Sequence, residues 1–310
     1  MKITILRLGV DIVKDVIKVA IIGLDTSHSV ELPRRMQAPD CPIDIKVEGM
    51  RAVTCLRFIT PFIDNESLDK RQQQLEEWGV KVTTDFDEAI SDCDAIMLEI
   101  NDPAYHLEYF KKCADLNKPI FLDKPFADTF ENAKIIYDLI KEKNVKVISA
   151  SSLRYSQNLV DACNAVPIPA QAYIYGPLGI PPVGSGVVWY GVHCFEMLQR
   201  AMGPGAISVD VRKDKAGAVA IVEYPDKRRG IVELTVGNYS YGGSLKAKDQ
   251  NESYVVNGSM YYTEQLREIY SFFKSGEASV KIEDALEVMD MLDCAAKSYE
   301  TGKSVQLNKA

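Results

Sequence analysis

Between residues 18 and 150, short apolar runs alternate with amphipathic stretches, and this alternation restricts the fold more than any other feature of the chain. Lys18-Val19-Ala20-Ile21-Ile22 reads as a buried strand ending at Gly23. A second strand, rich in β-branched residues, is expected over residues 52–59, and others at 80–84, 95–100, 119–122 and 145–150. Between them come a polar helix over 68–78 stopped by Gly79, a helical turn at 87–91 and a helix over 105–116. Asp128 with Glu131 three residues later predicts a capping box for a further helix reaching residue 143. Strand, helix and strand repeated in this way require a parallel sheet wrapped by helices.

Beyond residue 150 the pattern changes. Residues 167–183 are dense in proline and glycine and read as loop. A compact helix is expected over 191–202, stopped by Gly203-Pro204-Gly205. Strand-like runs follow at 207–212, 217–224, 230–236 and 245–256, with Asp226 and Lys227 marking a hairpin turn. Two helices, 261–274 and 282–301, finish the chain. The expected fold is thus a Rossmann-type α/β unit over 1–150, then an α+β unit over 151–310 with a large, mainly antiparallel open sheet. A chain of 310 residues is also long for a single core. Residues 1–16 alternate apolar and charged positions and are open to three readings: an extra strand, a short helix or an upstream extension.

Charge and composition narrow the partners. The net charge of −8, with no basic cluster, argues against nucleic acid. No apolar run approaches the roughly twenty residues of a membrane span. The seven cysteines are odd in number, form no CxxC pair and lie in apolar segments, as reduced thiols in the cytoplasm would. No metal site is expected, because cysteine and histidine never cluster at ligand spacing.

Two motifs carry chemistry. Asp123-Lys124-Pro125 closes the apolar run 119–122, so Lys124 ends a strand at the carboxyl edge of the sheet, where open α/β sheets bind ligands. Taken alone the tripeptide also fits a surface lysine beside a turn. The first strand opens into Gly23-Leu24-Asp25-Thr26-Ser27-His28, where a dinucleotide-binding loop would read GxGxxG. Only the first glycine is present. Asp25 replaces the glycine that lets backbone approach phosphate, and His28 the one used for tight helix packing. Thr26 and Ser27 offer hydroxyls to a phosphate, Ser29 could cap the helix, and Pro33 fits if that helix starts late, near Val30. The alternative is an ordinary β-to-α turn with Asp25 bonding its own backbone. The second strand carries no ribose-binding carboxylate; its Arg57 is either a partner for the extra phosphate of NADP or a charge at a strand end.

In order along the chain, these pieces resemble the Gfo/Idh/MocA family of sugar-type oxidoreductases, named for glucose-fructose oxidoreductase and inositol dehydrogenase. The resemblance rests on Val19-Ala20-Ile21-Ile22-Gly23, on Asn101-Asp102-Pro103 with His106, on Lys124-Pro125, and on Gly191-Val192-His193-Cys194-Phe195-Glu196 running to Gly203. Arg154 stands where the family often has an arginine at the domain junction. The resemblance spans residues 18–308. It implies NAD or NADP on the first unit, against Gly23, Asp25, Thr26, Ser27, His28, Arg57, Asn101, Asp102, His106, Lys124 and Pro125. It implies a sugar, cyclitol or related polyol against Lys124, Arg154, Trp189, Tyr190 and His193, and a homodimer or homotetramer paired through the second sheet. Lys124 would stabilise the developing alkoxide and His193 would handle the hydroxyl proton. His106 also has a plainer reading, as a cap that orients its loop.

The chain departs from the family at the position four residues before the histidine. The usual orienting aspartate is Trp189 here. Glu196, one helical turn after His193, either substitutes for it as a third catalytic residue or braces the helix. Trp189 is either a stacking platform or a filler of the vacated volume, and Tyr190 either a proton donor or packing. Two other functions stay compatible with these residues. One is a non-redox protein binding a sugar or nucleotide fragment. The other is a sugar lyase or hydrolase that cycles a tightly held NAD.

Overall fold

The computed structural model describes residues 16–308, so the reading of 1–16 as an extension falls outside the described residues except at Val16. The amino-terminal part forms a six-stranded sheet from β1 (Ile17–Ile22), β2 (Met50–Leu56), β3 (Lys81–Thr83), β4 (Ala95–Leu98), β5 (Ile120–Leu122) and β6 (Val147–Ile148). The strand order is β3-β2-β1-β4-β5-β6, and every pairing is parallel. Val19 to Ile22 and all of β4 are fully buried, as unbroken apolar strands covered on both faces must be. Helices α1 (His28–Gln37), α2 (Asn65–Glu77), α3 (Phe86–Ile90), α4 (His106–Cys113) and α5 (Phe130–Lys143) cross between the strands.

Two local expectations are corrected. The helix α1 starts at His28, not near Val30, and Pro33 lies inside it, leaving one intrahelical bond unmade. The cap of α5 is Thr129, whose hydroxyl accepts the Asn132 N–H at 3.2 Å. Asp128 instead accepts from the Asn132 side-chain amide, at 2.7 Å.

After a short helix α6 (Gln157–Ala165) comes β7 (Gln171–Pro177), then α7 (Gly186–Trp189) and α8 (Gly191–Met202). Four strands follow in succession: β8 (Ser208–Lys213), β9 (Gly217–Glu223), β10 (Arg229–Thr235) and β11 (Gly242–Ala247). The chain ends with β12 (Gln250–Val255), α9 (Met260–Ser275), α10 (Ile282–Thr301) and β13 (Val305–Gln306). The second sheet has the order β12-β11-β7-β10-β9-β8-β13. All of its pairs are antiparallel except β7 with β10.

The strand β7 corrects the expectation of a loop over 167–183. Proline and glycine belong to its flanks. Between them Ala172 and Ile174 are buried while Tyr173 and Tyr175 are half-exposed, the two-residue period of a strand with one covered face. The run 245–256 is also not one strand but a hairpin, turned at Lys248 with φ +49°.

Coverage of the first sheet decides where the later helices go. Leu266, Ile269, Phe272 and Phe273 of α9 share a core with Val19, Ile21, Met50 and Phe121. A helix from the second half of the chain therefore closes one face of the first sheet, held also by Gln265 Nε2 on the Ala150 carbonyl at 2.9 Å. Helix α10 packs on both α5 and α8, so apolar core runs from one sheet to the other. No helix among the described residues is long and apolar enough to cross a membrane.

Gly23 shows how tightly β1 meets the segment after β4. Its φ is +107°, and a Cβ there would overlap the Glu99 carbonyl and come within 2.9 Å of the Ile100 side chain. Gly23→Ala should therefore lower stability by about 2–4 kcal/mol. Urea unfolding checks this; an unchanged midpoint would refute the close approach.

Candidate functional site

The strand order reverses between β1 and β4, which leaves a crevice at the carboxyl edge of the first sheet. A cleft of about 400 Å³ opens there, between the two sheets. Thr26, Ser27, His28, Arg71, Asn101 and Lys124 line it from the first unit, and Trp189, Tyr190 and His193 from the second. Tyr261 and Tyr262, at the start of α9, complete the wall.

The altered nucleotide loop is well satisfied. Asp25 is 2 % exposed, and its carboxylate accepts the backbone N–H groups of Asn101 at 2.8 Å and Asp102 at 3.3 Å and the Thr60 hydroxyl at 2.7 Å. The charge that replaces a glycine is thereby turned into the protein and fastens the β1–α1 loop to the loop after β4. Ser27 precedes α1 without a side-chain cap, so the first turn of α1 keeps donors for an anion. Thr26 Oγ accepts the His28 N–H at 3.3 Å. Arg71 of α2 donates to the Leu24 carbonyl at 3.0 Å and lines the same cleft. Sequence reasoning missed it. The available signal was an arginine sharing one helix face with the buried Leu68 and Leu75.

Beneath this loop lies a buried charge cluster. Lys124 is 6 % exposed at the end of β5, so it is no surface lysine. Its Nζ is 3.8 Å from Asp123 Oδ2, and His28 Nδ1 is 2.8 Å from the same oxygen. Burial alone would raise the Asp123 pKa; the charges of His28 and Lys124 override it and hold the carboxyl below the usual range. Glu99 Oε2 is 3.9 Å from His28 Nδ1. Burial and the neighbouring Asp123 push Glu99 far above the usual carboxylate range.

From the second unit, His193 meets the cleft between Tyr190 and Tyr241, at ring separations of 6.2 and 5.5 Å. Its Nδ1 is 2.6 Å from Ser151 Oγ, which also accepts the Leu153 N–H at 3.2 Å. Burial, then the positive charges of Lys124 and His28, hold the imidazole well below the ordinary histidine pKa.

Ser151, not Glu196, is therefore the group on His193. The Glu196 carboxylate pairs with Arg154 Nη1 at 3.1 Å, and the second Arg154 nitrogen bonds Gln199 Oε1 at 2.6 Å. Both charged groups are buried and paired with one another, with Arg154 Nε left without a partner, and neither lines the cleft.

Other expected residues are also engaged elsewhere. Arg57 pairs with Asp69 and Gln72, each at 2.5 Å. His106 is fully buried, with Nε2 2.8 Å from the Ile100 carbonyl, which is the plainer of its two readings. Asp102 caps the turn at Ala104 and is not part of the cleft wall. Pro125 follows Lys124 through a cis peptide and does not line the cleft. Trp189 donates Nε1–H to Asn101 Oδ1 at 2.9 Å and packs on Phe62 and Tyr190, so it spans the cleft between the two units.

Comparison with known proteins places this geometry. Residues 17–151 match the family model described as an oxidoreductase family with an NAD-binding Rossmann fold. The uncharacterized oxidoreductase YhhX of Escherichia coli is 26% identical over 149 residues, 43% of each chain. The uncharacterized oxidoreductase C26H5.09c of Schizosaccharomyces pombe is 30% identical over 85 residues, 27% of this chain and 23% of its own. The chain thus spans less than half the length of these relatives. Among solved structures, myo-inositol dehydrogenase of Lactobacillus casei, in complex with NAD(H) and myo-inositol, superposes with a TM-score of 0.78 at 17% identity. That match covers 95% of this chain and 98% of the other. A probable dehydrogenase of Thermotoga maritima gives 0.73 at 19% identity, over 93% and 98%. Residues 17–151 are thus similar to the oxidoreductase family with an NAD-binding Rossmann fold, and the chain as a whole shares the two-domain fold of these solved structures.

Proposed function

We propose that this protein is a nicotinamide-dependent oxidoreductase acting on a cyclitol, sugar or related polyol. One observation carries the reading: Lys124 from the sheet edge and His193 from α8 face a single cleft at the amino terminus of α1. The loop fits a pyrophosphate despite its sequence. The Asp25 carboxylate is turned inward, the first turn of α1 is uncapped, and Arg71 supplies a cation. NAD is preferred to NADP in this reading, because the Arg57 guanidinium is already paired.

A bound nicotinamide supplies the hydride chemistry, leaving the protein to bind, orient and move a proton. Lys124 places an ammonium beside the reacting oxygen, where it favours the alkoxide over the alcohol. His193, with Nδ1–H donated to Ser151 Oγ, presents the Nε2 lone pair to the substrate hydroxyl and takes its proton. Tyr190, Trp189, Tyr239 and Tyr241 offer ring faces and edges to a polyol's carbon skeleton. Assembly through the second sheet, as a dimer or tetramer, is part of the same reading. A non-redox binding protein is the alternative, favoured by Asp25 and His28 at two glycine positions.

Titration with NADH and NADPH, read through quenching of the two tryptophans, decides between them. Micromolar NADH binding, weaker for NADPH, is expected. No binding at millimolar concentration, with no cofactor released on denaturation, would overturn the oxidoreductase reading. Arg71→Ala should weaken NADH binding about tenfold or more, the loss of one charged hydrogen bond. Lys124→Met should keep NADH binding and lower kcat with inositols about 100-fold or more.

The depressed His193 pKa gives a stability test. Below the ordinary histidine pKa of about 6.5 the unfolded chain binds a proton that the folded protein does not. Stability should therefore fall as pH drops below about 6.5, by up to about 1.4 kcal/mol per pH unit. Chemical unfolding between pH 5 and 8 measures the slope, and His193→Gln should flatten it. The same shift moves protonation of the imidazole below its ordinary range, so any acid limb of polyol oxidation should lie below about pH 6.5, and an acid limb at about 6.5 would contradict this.

A further inference from the structure

Glu99 presents an unusual problem. It is fully buried, and neither carboxylate oxygen has a hydrogen-bond partner among the described residues. Asp123 Oδ1 is likewise buried without a partner. The Lys124 ammonium reaches Asp123 and forms no pair with Glu99. A buried carboxylate in this state needs a proton or a cation.

The surrounding donors suit a cation. His28 Nδ1, a Glu99 oxygen and an Asp123 oxygen all lie within 4.8 Å of one another, with separations of 2.8 and 3.9 Å from the imidazole nitrogen. A point equidistant from three atoms so spaced is at most about 2.4 Å from each, close to the 2.0–2.2 Å of zinc–nitrogen and zinc–oxygen bonds. No proton could bridge the widest of these gaps. The three side chains come from the start of α1 and the ends of β4 and β5, so each is held by a buried backbone. We propose that His28, Glu99 and Asp123 bind one divalent first-row metal ion, with Zn²⁺ as the cation this nitrogen and two-carboxylate set suits best.

Ligands must be deprotonated to hold a metal, so affinity would rise with pH. Spacing along the sequence could not show this site, because its ligands stand at positions 28, 99 and 123 and no two of them form a local motif. The inference stands apart from the dehydrogenase reading, since its test measures metal and not turnover.

The full chain would be stripped with a chelator, dialysed, and titrated with ZnCl₂ by calorimetry at two pH values, with metal content measured after gel filtration. Uptake of one Zn²⁺ per chain, proton release and a raised Tm are expected. Glu99→Gln keeps the shape but removes the ligand charge, and should weaken binding at least 30-fold; His28→Gln provides a second variant should the first not fold. Co²⁺ loading of the wild type should give the visible absorption of a low-symmetry site, absent from either variant. No stoichiometric uptake would overturn the proposal. So would uptake unchanged in both variants, or a neutral-carboxyl infrared band from Glu99 that persists at saturating Zn²⁺.

Discussion

The cleft depends on a carboxylate standing where a glycine was expected. Asp25 accepts the backbone of Asn101 and Asp102 and the Thr60 hydroxyl, which ties together three loops at the carboxyl edge of the first sheet. Asn101, so placed, accepts from Trp189 of the second unit. A single chain of hydrogen bonds therefore runs from the nucleotide loop to the start of α8, which carries His193. Buried polar groups are expensive unless fully paired, and Asp25 is fully paired. The departure from GxGxxG is thus compatible with a loop fixed by its own carboxylate and an α1 that Ser27 leaves without a side-chain cap.

On either side of the cleft the two units solve the same problem of buried charge in different ways. In the second, Arg154 and Glu196 neutralise one another and Gln199 takes the second Nη of the arginine, leaving Ser151 to orient His193. In the first, Lys124, Asp123, His28 and Glu99 share a space with two carboxylates and two potential cations, and Glu99 is left unpartnered. The ion-paired network of the second unit stays off the cleft wall. The cluster around Glu99 includes His28 and Lys124, which themselves line the cleft.

The alternation of apolar runs was enough to read the parallel sheet, because strands buried on both faces leave continuous hydrophobic segments. Lys124 and His193 were legible for a related reason: each sits at an element end that the pattern locates. The strand β7 was hidden because Pro167, Pro169, Gly176 and Pro177 crowd a strand only seven residues long, and its Ala-Tyr-Ile-Tyr alternation is brief. Helix α9 was recognised as a helix, but nothing local says that its apolar face completes the first sheet. Arg154 and Glu196 were expected at the site because of their positions in the motifs. Their opposite charges, 42 residues apart in sequence, find each other first.

By itself the sequence determined the kinds of elements, their order, and the family-like placing of Lys124 and His193. These follow from local periodicity and from turn chemistry, which act over a few residues. Only the tertiary structure decided which polar groups face the cleft and which are consumed by one another. That choice depends on distances between side chains remote in sequence, where a partner at 3 Å in a buried site outweighs any preference written into the local motif.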